Sequence, residues 1–489
     1  MDRDTVAGAY SPTRTSGCSR GREPSGTTVF DGRRLQVSQN SPGAGSEERA
    51  ARGRRLRRLV MLKAGEGRAL AWSGLYFFCL LFSYYLLRPA REQFGIRGDL
   101  ENLPWLWTAT SLAMLGAVPV FGWVVSRWPR RVFIPWTYRF LALNALVFAG
   151  VIGLVGAGEE AERARVWTGY VFYVWLSVFN LFAVSVFWGF MADAWNREQG
   201  ARLFGLIGVG GTLGAIAGSA VPALLAEQIG VVWLIVCSAA MLECAARGAV
   251  RVASAAGIAR SAGREEAEST AAHSARTTER EPGPKWWMGL ALVARSRYLQ
   301  AMALYMLLFT LTTTFLYFEQ AAIVKEHFET PEKRTAFFAR IDLAVNVLTL
   351  ATQLFITGRL MRLLGVGAAL CVLPVLTVLG FAGLWAAPAG AVLGLFFVFQ
   401  VARRGLHYAI DRPAREVLYT VLGPEEKYKS KSFIDTFVYR AGDLAGAWMY
   451  APIEMLGAGM ASLAGAGVAA VWLCVGAALG VMQGRKRGG

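Results

Sequence analysis

The string Arg-Pro-Ala-Arg-Glu occurs at Arg88 to Glu92 and again at Arg412 to Glu416, each time at the end of a long apolar run. Ionisable groups at the edge of a hydrocarbon layer are expensive to hold, so by default they mark a pathway or a binding site. Arg88 and Arg91 are three positions apart and fall on one helical face, with Glu92 within reach of Arg88 at four; Arg412, Arg415 and Glu416 repeat the arrangement. Two guanidiniums facing a cavity can grip a phosphate or carboxylate in a fork, and the neighbouring carboxylate can hold them in the empty state. The proline in each copy leaves the carbonyl four residues back without its helical partner and predicts a kink. The competing reading is a local salt bridge at a membrane edge where arginines snorkel. Such a bridge needs no second arginine.

Other ionisable residues fall inside apolar runs: Arg139, Glu243, Glu319, Asp342, Arg403 and Arg404, Arg440 and Asp443, and Glu454. Arg403 lies more than half way along its run, with His407 and Tyr408 a turn further on. Arg440 and Asp443, at spacing three, either neutralise one another or join the site. A satisfied or interfacial role for His407 is favoured over a proton relay. The positive excess points to an anionic substrate. The candidate binding residues from spacing and depth are Arg88, Arg91, Arg403, Arg412 and Arg415. The candidate gating or coupling residues are Glu92, Glu416, Asp342, Arg440 and Asp443.

The elements that must position these residues are membrane helices. Of 489 residues, 54% are apolar and 17% charged, and runs long enough to span a bilayer recur. The fold class is therefore all-α and polytopic, embedded in the lipid bilayer. A net charge of +17 would suggest nucleic acid in a soluble protein, but here arginines cluster in short loops, as topology signals do, so no nucleic-acid partner is expected. Five of the six cysteines lie in apolar runs, Cys18 lies in a polar segment, and no CxxC or Cys/His cluster occurs, so no disulfide, zinc or other cofactor is expected. No Gly-x-x-x-x-Gly-Lys-Ser/Thr loop is present.

Residues 1–66 read as a disordered basic cytoplasmic tail. Twelve spans follow, at 69–90, 103–125, 132–156, 166–190, 204–226, 231–250, 299–323, 339–363, 365–387, 390–410, 433–456 and 459–483. Basic residues such as Arg127, Arg130 and Arg131, Arg359 and Arg362, and Arg485 to Arg487 fall on one side, which puts both termini in the cytoplasm. Residues 257–288 have linker composition and divide a six-helix half at 67–256 from another at 289–489. Six plus six is the plan of the major facilitator fold, with its substrate site between pseudo-symmetric halves. An offset of 228 lays Gly214 on Gly442 and Gly218 on Gly446, whereas the two pentapeptides are 324 positions apart. In that plan spans one and ten belong to units related by inversion, and one pentapeptide sits toward each mouth. The Gly208-Val-Gly210-Gly211 cluster is explained by close helix packing rather than phosphate binding.

The stretch Phe187-Trp-Gly-Phe-Met-Ala-Asp, followed by Glu198-Gln-Gly-Ala-Arg202-Leu-Phe204-Gly-Leu-Ile-Gly208, resembles the fourth-to-fifth helix region of the non-mitochondrial ATP/ADP translocases of intracellular bacteria and plastids. Asp411-Arg-Pro-Ala-Arg415-Glu416, Lys427-Tyr-Lys429-Ser-Lys431, Ile434-Asp435 and Arg440-Ala-Gly442-Asp443 resemble a second region of that family. The first pentapeptide resembles its Arg-Asp-Thr-Lys-Asp, and Glu319 to Lys325 resembles a seventh-helix Glu and Lys. The resemblance covers about residues 75 to 455. It implies nucleotide exchange, with Arg91, Arg415 and Glu319 at the substrate site. Two departures stand out: both expected lysines are arginines, and residues 170–190 hold no carboxylate, only Asn180.

The expected function is thus a secondary transporter, not an enzyme, moving an anionic and phosphorylated substrate of the ATP/ADP type by alternating access, as a monomer. The rivals are a proton-coupled facilitator of another small organic anion, in which Glu319 or Asp342 titrates, and a non-transporting scaffold.

Overall fold

The computed structural model describes residues 66–128, 130–156, 158–267, 286–457 and 459–488, and among them every regular element is helical. The expected tail up to residue 65, and residues 268–285 of the expected linker, lie outside the described residues. Helices α1 (Glu66–Gly95), α2 (Leu103–Arg127), α3 (Arg130–Leu154) and α4 (Glu159–Ala194) are followed by α5 (Arg197–Ala267). The backbone of α5 leaves helical geometry at Gly230, where φ is +70°. A residue with a Cβ is strained there, and the glycine lets the chain reverse. Its first limb then runs along α1 in the same sense, Gly214 and Gly218 against the carbonyls of Phe78 and Phe82, while the second returns with Ser238 against Ser83 and Gly248 against Tyr76. The second limb continues to Ala267, past the expected start of the linker.

The remaining helices are α6 (Trp286–Arg295), α7 (Arg297–His327), α8 (Pro331–Phe355), α9 (Thr357–Ala386), α10 (Ala389–Leu406), α11 (Arg412–Leu418), α12 (Pro424–Phe433), α13 (Tyr439–Glu454) and α14 (Met460–Gly488). Local chemistry sets several ends. Ser296 accepts from Leu299 N at the start of α7, and Thr330 accepts from Lys333 N at the start of α8, where Pro331 occupies the first turn. Two π turns, His407–Asp411 and Ile434–Val438, join α10 to α11 and α12 to α13.

Ten helical stretches of the described residues are long and apolar enough to cross a membrane. The stretch Arg202–Ala255, reversing at Gly230, holds two of the twelve expected spans. The expected span 433–456 is not among the ten: Asp435, Arg440, Asp443 and Glu454 make it too polar, whereas Ala389–Val421 counts although a π turn interrupts it.

One apolar core unites α1, α3, α4 and α5 around Tyr76, Phe172, Phe187 and Leu242. A second unites α7, α9, the α10–α12 region and α14 around Tyr305, Leu370, Ile410 and Trp472. A third crosses between these groups, with Ile96 and Leu103 packed among Phe315, Phe318, Val324 and Phe338. It lies at the ends of α1 and α7, opposite the face that carries Glu66 and Gly488, the terminal face. Lys325 Nζ donates to Gly98 O at 2.8 Å there, and Trp105 meets Trp448 edge-on at 4.7 Å. Packing between the helix groups thus covers the face opposite Glu66 and Gly488. The glycines related by the offset of 228 do matching work: Gly442 and Gly446 bring α13 against Thr310 and Thr314 of α7, as Gly214 and Gly218 bring α5 against α1.

A Cβ at Gly214 meets the Phe78 carbonyl, whereas one at Gly116 of α2 meets nothing within 4 Å. Gly214→Ala is expected to cost about 1–3 kcal/mol through overpacking. Gly116→Ala is expected to be neutral or slightly stabilising. Thermal unfolding of the two purified variants in detergent measures the difference.

Candidate substrate site

Three connected spaces run from the middle of the bundle toward the terminal face. The first, about 240 Å³, is lined by Arg88, Arg91, Glu92, Asp342, Arg403 and Arg404, with aromatic and amide groups between them. The second, about 380 Å³, adjoins it at His407, Tyr408 and Tyr439 and is lined by Arg412, Arg415, Glu416, Lys431 and Asp435. The third, about 640 Å³, shares Tyr408, Arg412 and Glu416 with the second and lies between α1 and α5 on one side and α8 and α11 on the other. Both arginines of each pentapeptide line these spaces, as their spacing of three requires. The first copy is deep and the second lies toward the terminal face.

The carboxylate partners differ from the expected ones. Arg88 does not pair with Glu92. It reaches across to Asp342 of α8 at 3.2 Å, and Asp342 also accepts from Arg404 of α10 at 2.7 Å. Asp342 is almost fully buried, so its charge must be met from both sides, and that demand overrides a one-turn pairing on α1. Glu92 pairs instead with its neighbour Arg91 at 2.5 Å. Arg91 Nη1 also donates to Ser177 of α4 at 3.2 Å and its guanidinium lies 4.8 Å from the Tyr173 ring centre. A hydroxyl and an aromatic face thus stand where the resemblance led one to expect a fourth-helix carboxylate.

In the second copy Glu416 pairs with Lys431 at 2.6 Å rather than with Arg412, and Arg415 pairs with Asp411 at 3.1 Å. Pro413 cannot donate to the carbonyl of residue 409, and the helix relaxes into the π turn His407–Asp411 just before it. That turn brings Asp411 under Arg415 and His407. The helix around Pro89, by contrast, is unbroken. His407 contacts Asp411 at 3.1 Å and stacks on Phe309 at 4.5 Å, so the imidazole is satisfied within the bundle.

Arg403 is the least exposed cation among the described residues, at 2%. Its Nη2 donates to Thr312 and Thr313 at 2.9 and 3.0 Å, its Nε donates to Thr377 at 3.2 Å, and the guanidinium lies 5.6 Å from the Phe309 ring centre. Among the described residues no carboxylate comes within ion-pair distance of it. The remaining candidates lie elsewhere. Glu319 does not line the cavity; it turns to α14, where Ser462 Oγ donates to it at 2.7 Å. One helical position further, Gln320 takes the cavity side. Arg440 and Asp443 form a local pair at 3.6 Å, off the cavity wall, with Arg440 also touching Met114 of α2.

Sequence spacing missed the polar and aromatic row of α7, Phe309, Thr313, Tyr317 and Gln320, and Gln400 on α10; Arg404 and His407, noted for their depth in the apolar run but not chosen as site residues, complete the α10 row. Their steps of three and four were the available signal. The shared carboxylate makes a measurable prediction. Asp342→Ala strands two partly buried guanidiniums and is expected to cost about 3 kcal/mol, the low end for breaking a buried pair. Adding Arg88→Leu recovers part of that loss, and a double-mutant cycle on thermal unfolding measures the coupling.

The sequence profile described as TLC ATP/ADP transporter matches residues 158–481. An ADP,ATP carrier protein 2 of Chlamydia pneumoniae is 24% identical over 76% of this chain and 79% of its own length. An ADP,ATP carrier protein 1 of Chlamydia muridarum is 23% identical with the same coverage. Among solved structures, the nucleoside transporter NupG superposes with a TM-score of 0.54 at 13% identity, covering 85% of this chain and 99% of NupG. An auto-inhibited POT family peptide transporter superposes with a TM-score of 0.55 at 13% identity, covering 86% and 97%. At such identities the structures establish the polytopic, all-helical major facilitator type of fold alone. The family match spans well over half of the sequence and includes the second pentapeptide and α10: the chain belongs to the TLC ATP/ADP transporter family.

Proposed function

We propose that this protein exchanges nucleotides of the ATP/ADP type across the membrane by alternating access between the helix groups 67–256 and 289–489. The observation that carries the reading is the charge of the first cavity: four guanidiniums, Arg88, Arg91, Arg403 and Arg404, face only two carboxylates, Glu92 and Asp342. A buried cation without a counter-charge is costly, and Arg403 has only hydroxyls, a carbonyl and a ring. A polyphosphate supplies the missing negative charge in forked geometry. The relatives named as ADP,ATP carriers support a nucleotide as that anion.

Arg88, Arg91 and Arg403 bind the substrate in the deep cavity, and Arg412 and Arg415 receive or release it toward the terminal face. Asp342, Glu92 and Glu416 hold the cations in the empty carrier. The Arg88–Asp342 pair ties α1 to α8, so an empty carrier resists reorientation and a loaded one, with the pair dissolved by phosphate, does not. That difference favours exchange over one-way uptake. Arginine in place of lysine at positions 91 and 415 suits bidentate phosphate contact. The arginine-rich loops support a cytoplasmic terminal face, the bacterial relatives support an inner-membrane location, and one chain supplies every residue of the site, which supports a monomer.

Vesicles containing the purified protein and preloaded with ADP are expected to take up labelled ATP, and empty vesicles to take up little. Arg403→Ala is expected to lower exchange at least about a hundredfold, as loss of a buried charge contact does. Uptake of a different anion with no nucleotide exchange would contradict the substrate assignment while leaving the fold intact.

A second reading, proton-coupled movement of an organic anion, has one observation in its favour. Glu319 is partly buried, receives a hydroxyl from Ser462, and has no basic group within ion-pair distance among the described residues. On that reading Glu319→Gln removes the dependence of uptake on an imposed proton gradient. On the exchange reading, uptake follows internal ADP and ignores the gradient.

A further inference from the structure

We propose that the deep end of the first cavity is a nucleobase subsite formed by Gln320 of α7 and Gln400 of α10, with Trp107 of α2 as its aromatic wall. The inference rests on the nucleotide reading and adds where the base goes. Gln320 and Gln400 are 5% and 7% exposed, both line the cavity, and Gln400 Nε2 donates to Gln320 Oε1 at 2.6 Å. That bond uses one end of each amide. Gln400 Oε1 and Gln320 Nε2 have no hydrogen-bond partner among the described residues, so the two bonded side chains leave one amide oxygen and one amide NH2 for a ligand. Exchanging O and N in both amides leaves the same result, one free oxygen and one free NH2.

An adjacent donor and acceptor is the pattern a base edge presents, as in adenine's exocyclic amine beside a ring nitrogen, and it is the pattern that a glutamine amide reads in nucleic acids. A phosphate or a simple carboxylate offers acceptors only and leaves the amide oxygen unmet. The aromatic wall is an independent observation. Trp107 lies 5.0 Å from Tyr317, both line the cavity, and the buried Trp107 Nε1 has no hydrogen-bond partner among the described residues. Planar bases stack on such side chains with little regard to sequence.

The spacing along α10 suits the rest of the ligand. Arg403 and Arg404 follow Gln400 by three and four residues, a rise of about 5–6 Å, and His407 follows by seven, about 10 Å. A nucleotide whose base is held by the two amides places its phosphates beside the cations of α10 and Arg88. An amide pair is also a common adhesive between membrane helices. The two roles separate experimentally, because an adhesive affects every ligand alike.

The test uses the full chain in vesicles, with ADP as the nucleotide and inorganic pyrophosphate as a base-free competitor. Gln320→Leu and Gln400→Leu are expected to raise the KM for ADP roughly tenfold or more, as loss of a hydrogen-bonding pair in a specificity pocket does. The pyrophosphate concentration that half-inhibits exchange is expected to stay within about twofold in the same variants. Gln400→Asn, which keeps the amide, gives a smaller loss, and thermal protection by pyrophosphate verifies that each variant is folded. Equal changes for ADP and pyrophosphate, or none for either, overturn the subsite while leaving nucleotide exchange in place. A wild-type protein that exchanges no nucleotide overturns the transport reading itself and the subsite with it.

Discussion

The structure turns on Asp342, a buried carboxylate held by Arg88 from α1 and Arg404 from α10. One negative charge there serves two positive ones from opposite sides of the bundle. Without it the guanidiniums of the central cavity would repel one another across a medium that screens weakly. With it the helix groups are fastened at mid-depth while the apolar cluster of Ile96, Leu103, Phe315 and Phe318 closes the face opposite the termini. The tie is sufficient for an empty carrier and insufficient to neutralise the cavity, and that mismatch is what gives an anion its opening.

The two pentapeptides use the same residues in different local frames. At Pro89 the helix runs on unbroken and Arg88 and Arg91 project from a regular face toward different helices, α8 and α4. At Pro413 the chain passes through a π turn, which carries Asp411 beneath Arg415 and His407. π turns of this kind are found often at functional sites because they re-aim side chains without ending the helix. The second π turn, at Ile434–Val438, lies beside the same chamber, with Ile434 and Asp435 in its wall. Glycine packing is the rigid counterpart: Gly214 and Gly218 on α1, and Gly442 and Gly446 on α7, set two close helix pairs on either side of the cavity.

Much of this was legible in the residues. Hydropathy found eleven of the twelve expected spans among the described helices, and the repeated spacing of three placed both arginines of each copy on a cavity wall. The depth of Arg403 in its run anticipated its place in the wall of the first cavity. What local spacing could not supply was partner choice between helices. The one-turn rule proposed Arg88 with Glu92 and Arg412 with Glu416, yet Asp342, far along the chain, competes successfully for Arg88 because its burial raises the value of a correctly placed counter-charge, and Lys431, fifteen residues on, takes Glu416 in a largely exposed pair. Glu319 illustrates the complementary gap. A resemblance fixes the helix but not which of two successive positions faces the cavity, and here Gln320 does. The cavity rows on α7 and α10 were hidden because threonine, tyrosine and glutamine at helical spacing look like any half-buried helix face.

The central claim is that Asp342 is a stand-in for the substrate anion, occupying cations that a polyphosphate takes over. The most direct test is calorimetric titration of ADP into purified wild-type protein and Asp342→Asn. If the carboxylate competes with the ligand, removing its charge lifts that competition and Asp342→Asn binds ADP more tightly than the wild type. Binding that is weaker in Asp342→Asn, or unchanged, would show that the carboxylate does not compete for the arginines and would contradict the account.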